Sequence, residues 1–405
     1  MTRTLYVLLF FFAGMVVQAQ TTNGLRAHFT FSDCVLDDNS GFQTDGSFGG
    51  GPVVCDCGVA GDGLYFSGGR TDFAFFTGDY GAILNADFSL SFYFRSENAG
   101  GIADLISVTD SCGGTGMYVS YIPVNQSVIF EIETEGGARR DLVGEIDLRS
   151  CWQHVVITRA SNRYTMYING EVEAVEEVRL AFDMSPLEEL RIANSPCLNL
   201  PGQLERFRGV IDDLRLYNRA VSSNEVAELY FSPDKLFTSD TLIFTGDEVP
   251  VRAGFSCAAN ISWNPSIGVS DPGILTPILR PVATTSYQVV VSYGACVLRD
   301  TLKVLVTERD SLDCDNLLLP TAFSPNGDGL NDVFEISNPF LIDQLDNWTI
   351  FDRNGGIIFE GADPLVGWDG TFHDKALAPD YFGYRIEYQC KGETFQKVGS
   401  FYLMR

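Results

Sequence analysis

The sequence predicts an all-β protein, and three observations carry that expectation. Residues 88–95, FSLSFYFR, place Phe88, Leu90, Phe92 and Phe94 on one face and Ser89, Ser91, Tyr93 and Arg95 on the other. That period of two is the mark of a strand with one buried face. The chain is rich in the residues of strands and turns, with 30 Phe, 16 Tyr and 40 Gly. Long stretches with helical spacing of apolar residues are scarce.

The elements follow in order. Residues 1–19 read as a secretory signal peptide: Arg3 gives a positive start, Leu5 to Val17 an apolar run, and Val17-Gln18-Ala19 a small-residue cleavage site. The apolar run of 13 residues is short of the ~20 that span a bilayer, so no membrane insertion is expected once it is removed. The roughly 385 residues beyond it suit two to four domains at ~100–200 residues each. Residues 22–231 read as one β-rich domain. CWQHVVITR and RYTMYINGEVEAV add two strands, the second carrying the hairpin dipeptide Asn169-Gly170. A strand through Ile211 to Tyr217 then passes into a short helix opened by the capping-box pattern Ser222-x-x-Glu225. Residues 232–308 change character, with short strands between Pro and Gly turns, and predict a small β-sandwich. The polar stretch 309–316 reads as a joint before a last domain at 317–405.

Charge excludes some partners. The 53 acidic against 27 basic residues, a formal charge of −26, argue against nucleic acid and anionic membranes as partners, since both need a positive face. Ten cysteines in an exported chain point to disulfides. Cys257 with Cys296, and Cys314 with Cys390, each fall inside one expected domain and are the expected pairs. Cys34, Cys55, Cys57, Cys112, Cys151 and Cys197 remain, and six cysteines allow 15 connectivities.

Three resemblances follow from these residues. The blocks GLRAHFTFSD, LDDNSG, LYFSGG, WQHVVITR, MYINGE and GVIDDLRLYNRAVSSNEVAELY resemble a laminin-G-like, concanavalin A-like jelly roll. The resemblance implies two curved antiparallel sheets face to face, a binding or adhesion role often directed at carbohydrate, and often a structural calcium ion. Trp263 and the stretch WNPSIGVSDP through TTSYQVVV resemble a PKD- or immunoglobulin-like spacer. LLLPTAFSPNGDGLNDVFEIS, WTIFDRNGGIIFEG, GWDGTF and KVGSFYLMR resemble the gliding-motility-associated C-terminal domain of Bacteroidota, the type B sorting signal of type IX secretion. That implies passage through the type IX machinery to the cell surface or the medium.

Calcium candidates lie in two places. Asp37, Asp38 and Asn39 meet Asp212 and Asp213 if the first and last strands of the jelly roll pair. Asn326, Asp328, Asn331 and Asp332 gather oxygens in a glycine-rich loop, although no glutamate closes it in the manner of an EF-hand. Catalytic constellations are not found, and the sequence points away from an enzyme. Glu145 with Asp147, and Glu131 with Glu133, have the i, i+2 spacing that sets two carboxylates on one strand face. Ser150, however, stands where a glucanase-type signature needs its second glutamate. No nucleophile elbow or phosphate-cradling loop occurs, and His154 in the WQHVV strand is expected to be structural. A sugar-binding rim is expected from Tyr80, Tyr118 and the 194–201 loop. The expected function is therefore an exported surface or secreted binding protein acting on a polysaccharide or glycan. The alternatives are a structural part of a surface or gliding assembly with a protein partner, and a polysaccharide-cleaving enzyme.

Overall fold

The computed structural model describes residues 22–51, 54–146, 150–179, 182–199, 204–255, 258, 260–293, 296–326, 331–373 and 375–404. The signal segment 1–19, Asp147, Pro201, Cys257, Asp328 and Arg405 therefore lie outside the described residues. Two compact units emerge. One holds the chain to Asp240 with Glu248–Arg280 and Ser286–Lys303, and the other holds Thr241–Asp247, Pro281–Thr285 and everything from Val304.

In the first unit the chain runs through β1 (Leu25–Phe29), β2 (Ser47–Phe48), β3 (Cys55–Cys57), β4 (Asp62–Ser67), β5 (Ala74–Thr77) and the short helix α1 (Tyr80–Leu84). Then come β6 (Phe88–Ser96), β7 (Ile102–Thr109), β8 (Gly116–Ile122), β9 (Ser127–Glu133), β10 (Arg139–Glu145), β11 (Gln153–Ala160) and β12 (Arg163–Ile168). Last are β13 (Glu171–Glu177), β14 (Glu189–Ile192), β15 (Leu204–Glu205), β16 (Arg208–Tyr217) and the helix α2 (Ser223–Leu229). One sheet has the order β13-β12-β11-β6-β16-β4-β3, with β1 also on β16; the other has β10-β9-β8-β7-β14-β5-β2, with β15 beside β7. All-β is thus the observed class, and the 16 strands build the two-sheet sandwich of a jelly roll.

Local chemistry sets the boundaries. Asn169 and Gly170 both take positive φ, at 52° and 89°, and so join β12 to β13 by the mirror-image turn that suits twisted strands. Ser222 Oγ accepts from the Glu225 amide, while the Ser222 amide donates to Glu225 Oε2 at 2.7 Å. This is the reciprocal cap expected from the sequence, and Arg219 holds the same carboxylate. Between the sheets, Phe88, Leu90, Phe92 and Phe94 of β6 join Val155, Ile157, Phe130, Val119, Ile106 and Phe29 in one core.

The other face of β6 departs from the expectation of solvent exposure. Ser89, Ser91, Tyr93 and Arg95 are all buried. The physical reason is a cover laid over this sheet. Val226 and Leu229 of α2 pack on Val156, Tyr167 and Tyr217, and Tyr230 and Phe231 pack against the group of Tyr93, Trp152 and Val210. Ser89, Ser91, Tyr93 and Arg95 each find a partner under the cover. Tyr93 Oη donates to the Leu229 carbonyl at 2.8 Å and accepts from the Phe231 amide at 2.7 Å. The Arg95 guanidinium pairs with Asp56 at 2.7 Å and lies 4.7 Å over the Tyr293 ring.

The cover is also covalent, because Cys151 is bonded to Cys296. This corrects the expected Cys257–Cys296 pair: Cys296 lies at the start of the strand Cys296–Thr307 and meets Cys151 of the sandwich instead. The remaining bridges of the described residues include Cys34–Cys55 and Cys112–Cys197, and Cys57 is disulfide-bonded as well. Beyond residue 240 in the same unit, Asn260–Asn264 pairs with residues 288–292. Trp263 is buried there, edge-on to Tyr287, and its indole N–H donates to the Ile274 carbonyl at 2.8 Å.

In the second unit Thr241–Phe244 runs parallel to residues 304–307. A five-stranded sheet follows in the order Ala322–Phe323, Glu393–Leu403, Asp380–Cys390, Gln344–Phe351 and Ile357–Gly361. Phe323, Phe334, Trp368, Phe382 and Phe401 fill its core, with Phe334 and Phe401 stacked at 3.6 Å. The expected Cys314–Cys390 bond is present. Residues 309–316 are tied down along their length. The Lys391 ammonium donates to the carbonyls of Asp310 and Leu312, each at 2.7 Å, Tyr388 Oη donates to the Cys314 carbonyl, and Arg309 pairs with Asp343.

Candidate functional site

The first and last strands of the jelly roll do pair. β1 lies antiparallel to β16, with His28 opposite Arg215. His28 stands between two of the calcium candidates, its amide donating to Asp38 Oδ1 and its ring Nε2 meeting Asp213 Oδ1, both at 2.9 Å. Asp38 Oδ1 also accepts from the Ser40 amide, and Oδ2 accepts from Ser40 Oγ and from the amides of Phe42 and Gln43. Burial works to raise its pKa, yet these donors hold the Asp38 carboxyl below the usual carboxylate range. Asp213 behaves alike. Burial raises its pKa, but His28 and the Arg215 guanidinium, which donates at 3.0 Å and 3.2 Å, bring it below normal.

Asp212 points to other partners. A register shift between Asp212 and Arg215 lets neighbouring carboxylates part, and Asp212 Oδ2 accepts from the Val59 amide at 2.7 Å. A Cβ on Gly58 would sit 2.3 Å from that oxygen, so the close approach needs glycine here. Burial, with the Asp213 charge beside it, pushes the Asp212 pKa up to about 8. Asp37 and Asn39 are exposed and join no carboxylate cluster. A calcium ion needs six to eight free oxygens, whereas the oxygens of Asp38 and Asp212 serve N–H and O–H donors. In the C-terminal loop, Asp332 Oδ1 accepts from the Asn326 amide at 2.8 Å and Asn331 takes a φ of 54°, as turn residues do. Among the described residues no group of three or more His, Cys, Asp or Glu is arranged to hold a metal ion.

His154 is where a nucleophile–base pair comes nearest to being built, with its Nε2 at 2.9 Å from Ser91 Oγ. Both are buried under the cover, and His154 is stacked on Tyr93 with ring centres 4.3 Å apart. Burial drops the imidazole pKa to about 3, far below what a general base needs near neutral pH. That supports the structural place expected for it. Of the carboxylate pairs, Glu131 is buried and ion-paired with Arg139, and Glu145 ends β10 in an exposed position.

The open site lies on the second sheet. A register shift between Asp104 and Ile106 sends Ala103, Leu105, Ile106 and Val108 into the core and leaves Asp104 and Ser107 facing away from it. The outward residues of β7, β8 and β9 then line a hollow of about 540 Å³ with Asp104, Tyr118, Ser120, Glu131, Glu133 and Arg139. The Cys112–Cys197 bridge forms part of its rim. Asp104 is buried at its base, its two oxygens accepting from Ser120 Oγ at 2.7 Å and Ser195 Oγ at 2.5 Å. Burial raises its pKa against the pull of those hydroxyls. Tyr118, expected on a rim, lines this hollow. Tyr80, also expected there, is buried in the core instead, because α1 turns its ring inward against the sandwich. Asp104 carried no signal in the sequence, since a single acid in an apolar strand is distinguished only once the bulge places it.

Two family models match the chain. One, described as the concanavalin A-like lectin/glucanases superfamily, matches residues 68–227, and the other, the CHU_C type IX secretion signal domain, matches residues 317–403. The chain joins a concanavalin A-like domain to a type IX secretion signal domain. The secretion signal domain implies export to the cell surface or the medium, and among the described residues no helix is long and apolar enough to cross a membrane. Among solved structures the chain is similar to domain 4 of AbnA, a GH43 extracellular arabinanase from Geobacillus stearothermophilus in complex with arabinotriose. That match has 17% identity, covers 51% of this chain and 98% of the other, and has a TM-score of 0.40. It is also similar to the binding domain of botulinum neurotoxin serotype D, at 12% identity over 68% of this chain and 73% of the other, with a TM-score of 0.44. Trypanosoma rangeli sialidase matches at 20% identity over 53% of this chain and 33% of the other, with a TM-score of 0.39. No curated protein matches the chain. In the concanavalin A-like domain the open hollow and the covered sheet thus lie on opposite sides of one sandwich.

Proposed function

We propose that this chain is an exported binding protein whose concanavalin A-like domain holds a carbohydrate on the outer face of its second sheet, without cleaving it. One observation carries the reading: the first sheet is covered and bridged, while the second presents a polar-floored hollow. Hydroxyls, carboxylates, a guanidinium and a tyrosine converge there, which suits a polyhydroxylated ligand that both donates and accepts hydrogen bonds. Glu131 is neutralised by Arg139, and Asp104 is already bonded to two serines. That leaves Glu133 without a second carboxyl ready to act beside it, which supports binding over glycoside cleavage, since that chemistry uses a pair. Delivery by the type IX machinery supports a ligand outside the cell.

The test is a broad glycan array probed with the full oxidised chain, because the Cys151–Cys296 bridge argues against cutting the domain out at residue 231. One arm contains calcium and the other a chelator. Binding in both arms that Tyr118→Ala and Glu133→Gln weaken is the expected result. Binding lost with chelator would return calcium to the site, release of reducing ends would make the protein an enzyme, and silence on every glycan would transfer the hollow to a protein partner.

A further inference from the structure

The hollow does not end at its own rim. A second one, of about 530 Å³, opens beside it on the same sheet and shares two lining residues with it, Ile102 and Leu204. Those two residues are backbone partners in the short parallel pair of β7 with β15. The pair therefore forms a low apolar saddle between two basins. The near basin has the polar floor of Asp104, Ser120 and Glu131. The far basin is lined by Ile122, Val124, Asn125 and Glu205, and Val124 is 73% exposed.

We propose that the two basins form one trough for the interior of an uncharged polysaccharide chain, which crosses the Ile102–Leu204 saddle and places sugar units on both sides. This rests on the carbohydrate reading above and specifies its ligand class. A compact terminal sugar needs one basin, and each basin alone has the size of an ordinary small-ligand site, about 300–1,000 Å³. Two that share the Ile102–Leu204 wall match a ligand that repeats. Its charge follows from the lining. Glu133 and Glu205 line the near and far basins, Asp104 is bonded to two serines, and the Arg139 guanidinium is taken up by Glu131. Uronate or sulfate groups would meet like charge in each basin, at Glu133 and at Glu205, whereas sugar hydroxyls would donate to those two carboxylates. The apolar saddle would receive the C–H face of a ring.

The experiment is titration calorimetry on the full oxidised chain. The probes are ladders of one to six units from neutral gluco-, manno-, xylo- and arabino-oligosaccharides, with oligogalacturonates as the charged control. For a neutral ladder that binds, affinity is expected to rise by on the order of tenfold or more between one unit and four and then level off. Val124→Asp, a change at an exposed position that should leave folding intact, is expected to cost the longer members about that factor and the single unit nothing. An affinity that is flat from one unit to six, a Val124→Asp loss equal at all lengths, or preference for oligogalacturonates would overturn the proposal while leaving a carbohydrate-binding protein. Silence on all ladders and on the array would overturn the carbohydrate reading itself.

Discussion

Replacing Asp212 by Asn isolates one buried proton. Asp212 has a folded pKa of about 8 against an ordinary 3.8, so the folded state takes up a proton that the unfolded chain has released throughout the neutral range. A raised folded pKa gives stability that is fully present below the unfolded value and is lost as pH rises through the folded one. Between pH 6 and pH 9 the loss amounts to about 2–3 kcal/mol, since each unit below the folded pKa carries about 1.4 kcal/mol. Asn keeps an oxygen for the Val59 amide, which donates to Oδ2 at 2.7 Å, but has no proton to lose. Denaturant unfolding of wild type and Asp212→Asn, with disulfides intact, should be followed at pH 6, 7.5 and 9. The wild type is expected to lose about 2–3 kcal/mol more than the variant across that span, or roughly 4–12 °C in Tm. Equal pH slopes for the two proteins would refute the assignment of a buried, protonated Asp212.

Three further outcomes are expected. The double change Cys151→Ser with Cys296→Ser opens a loop with a sequence separation of 145; it should cost about 2–5 kcal/mol and expose the 232–255 stretch to limited proteolysis, read by mass spectrometry of the fragments. Ser222→Ala removes the cap of α2 and should lower stability by about 1 kcal/mol in chemical unfolding, leaving glycan binding unchanged. Phe401→Ala empties a site stacked on Phe334 at 3.6 Å and should destabilise the C-terminal sheet by about 3–5 kcal/mol, detected as early loss of protection of residues 380–403 in hydrogen exchange.

The all-β class was legible because alternation and turn chemistry are local. Phe88 to Phe94, Asn169-Gly170 and the Ser222 cap each declare themselves within a few residues, and each occupies its expected place. What lies over a strand is not local. Ser89, Ser91, Tyr93 and Arg95 carry the polar pattern of an exposed face, and only the later return of α2 and Tyr230–Phe231 buries them. The same limit governs Cys296, whose partner Cys151 lies 145 residues away. Asp37, Asp38, Asn39, Asp212 and Asp213 are expected together if the first and last strands pair; β1 and β16 do pair, and Asp38 and Asp213 meet there through His28. Their chemistry was not legible, because the sequence does not show which amides point at which oxygens. The hollow over Asp104 depends on a bulge that periodicity conceals.

The Cys151–Cys296 bond also decides how this protein would carry a mechanical load. Suppose the chain is gripped at the trough on β7–β10 and held at its C-terminal domain against flowing water. Tension entering at residue 145 reaches Cys151 after six peptide bonds, passes through the sulfur bridge to Cys296, and continues into the strand Cys296–Thr307. Everything from residue 152 to residue 295, including β11, β12, β16 and α2, lies outside that covalent route. Those strands can hold the sandwich together without being drawn out. A tethered cell would pull on a shortened line, and the sheet bearing the ligand would be hauled from a point only a few residues beyond its own edge strand.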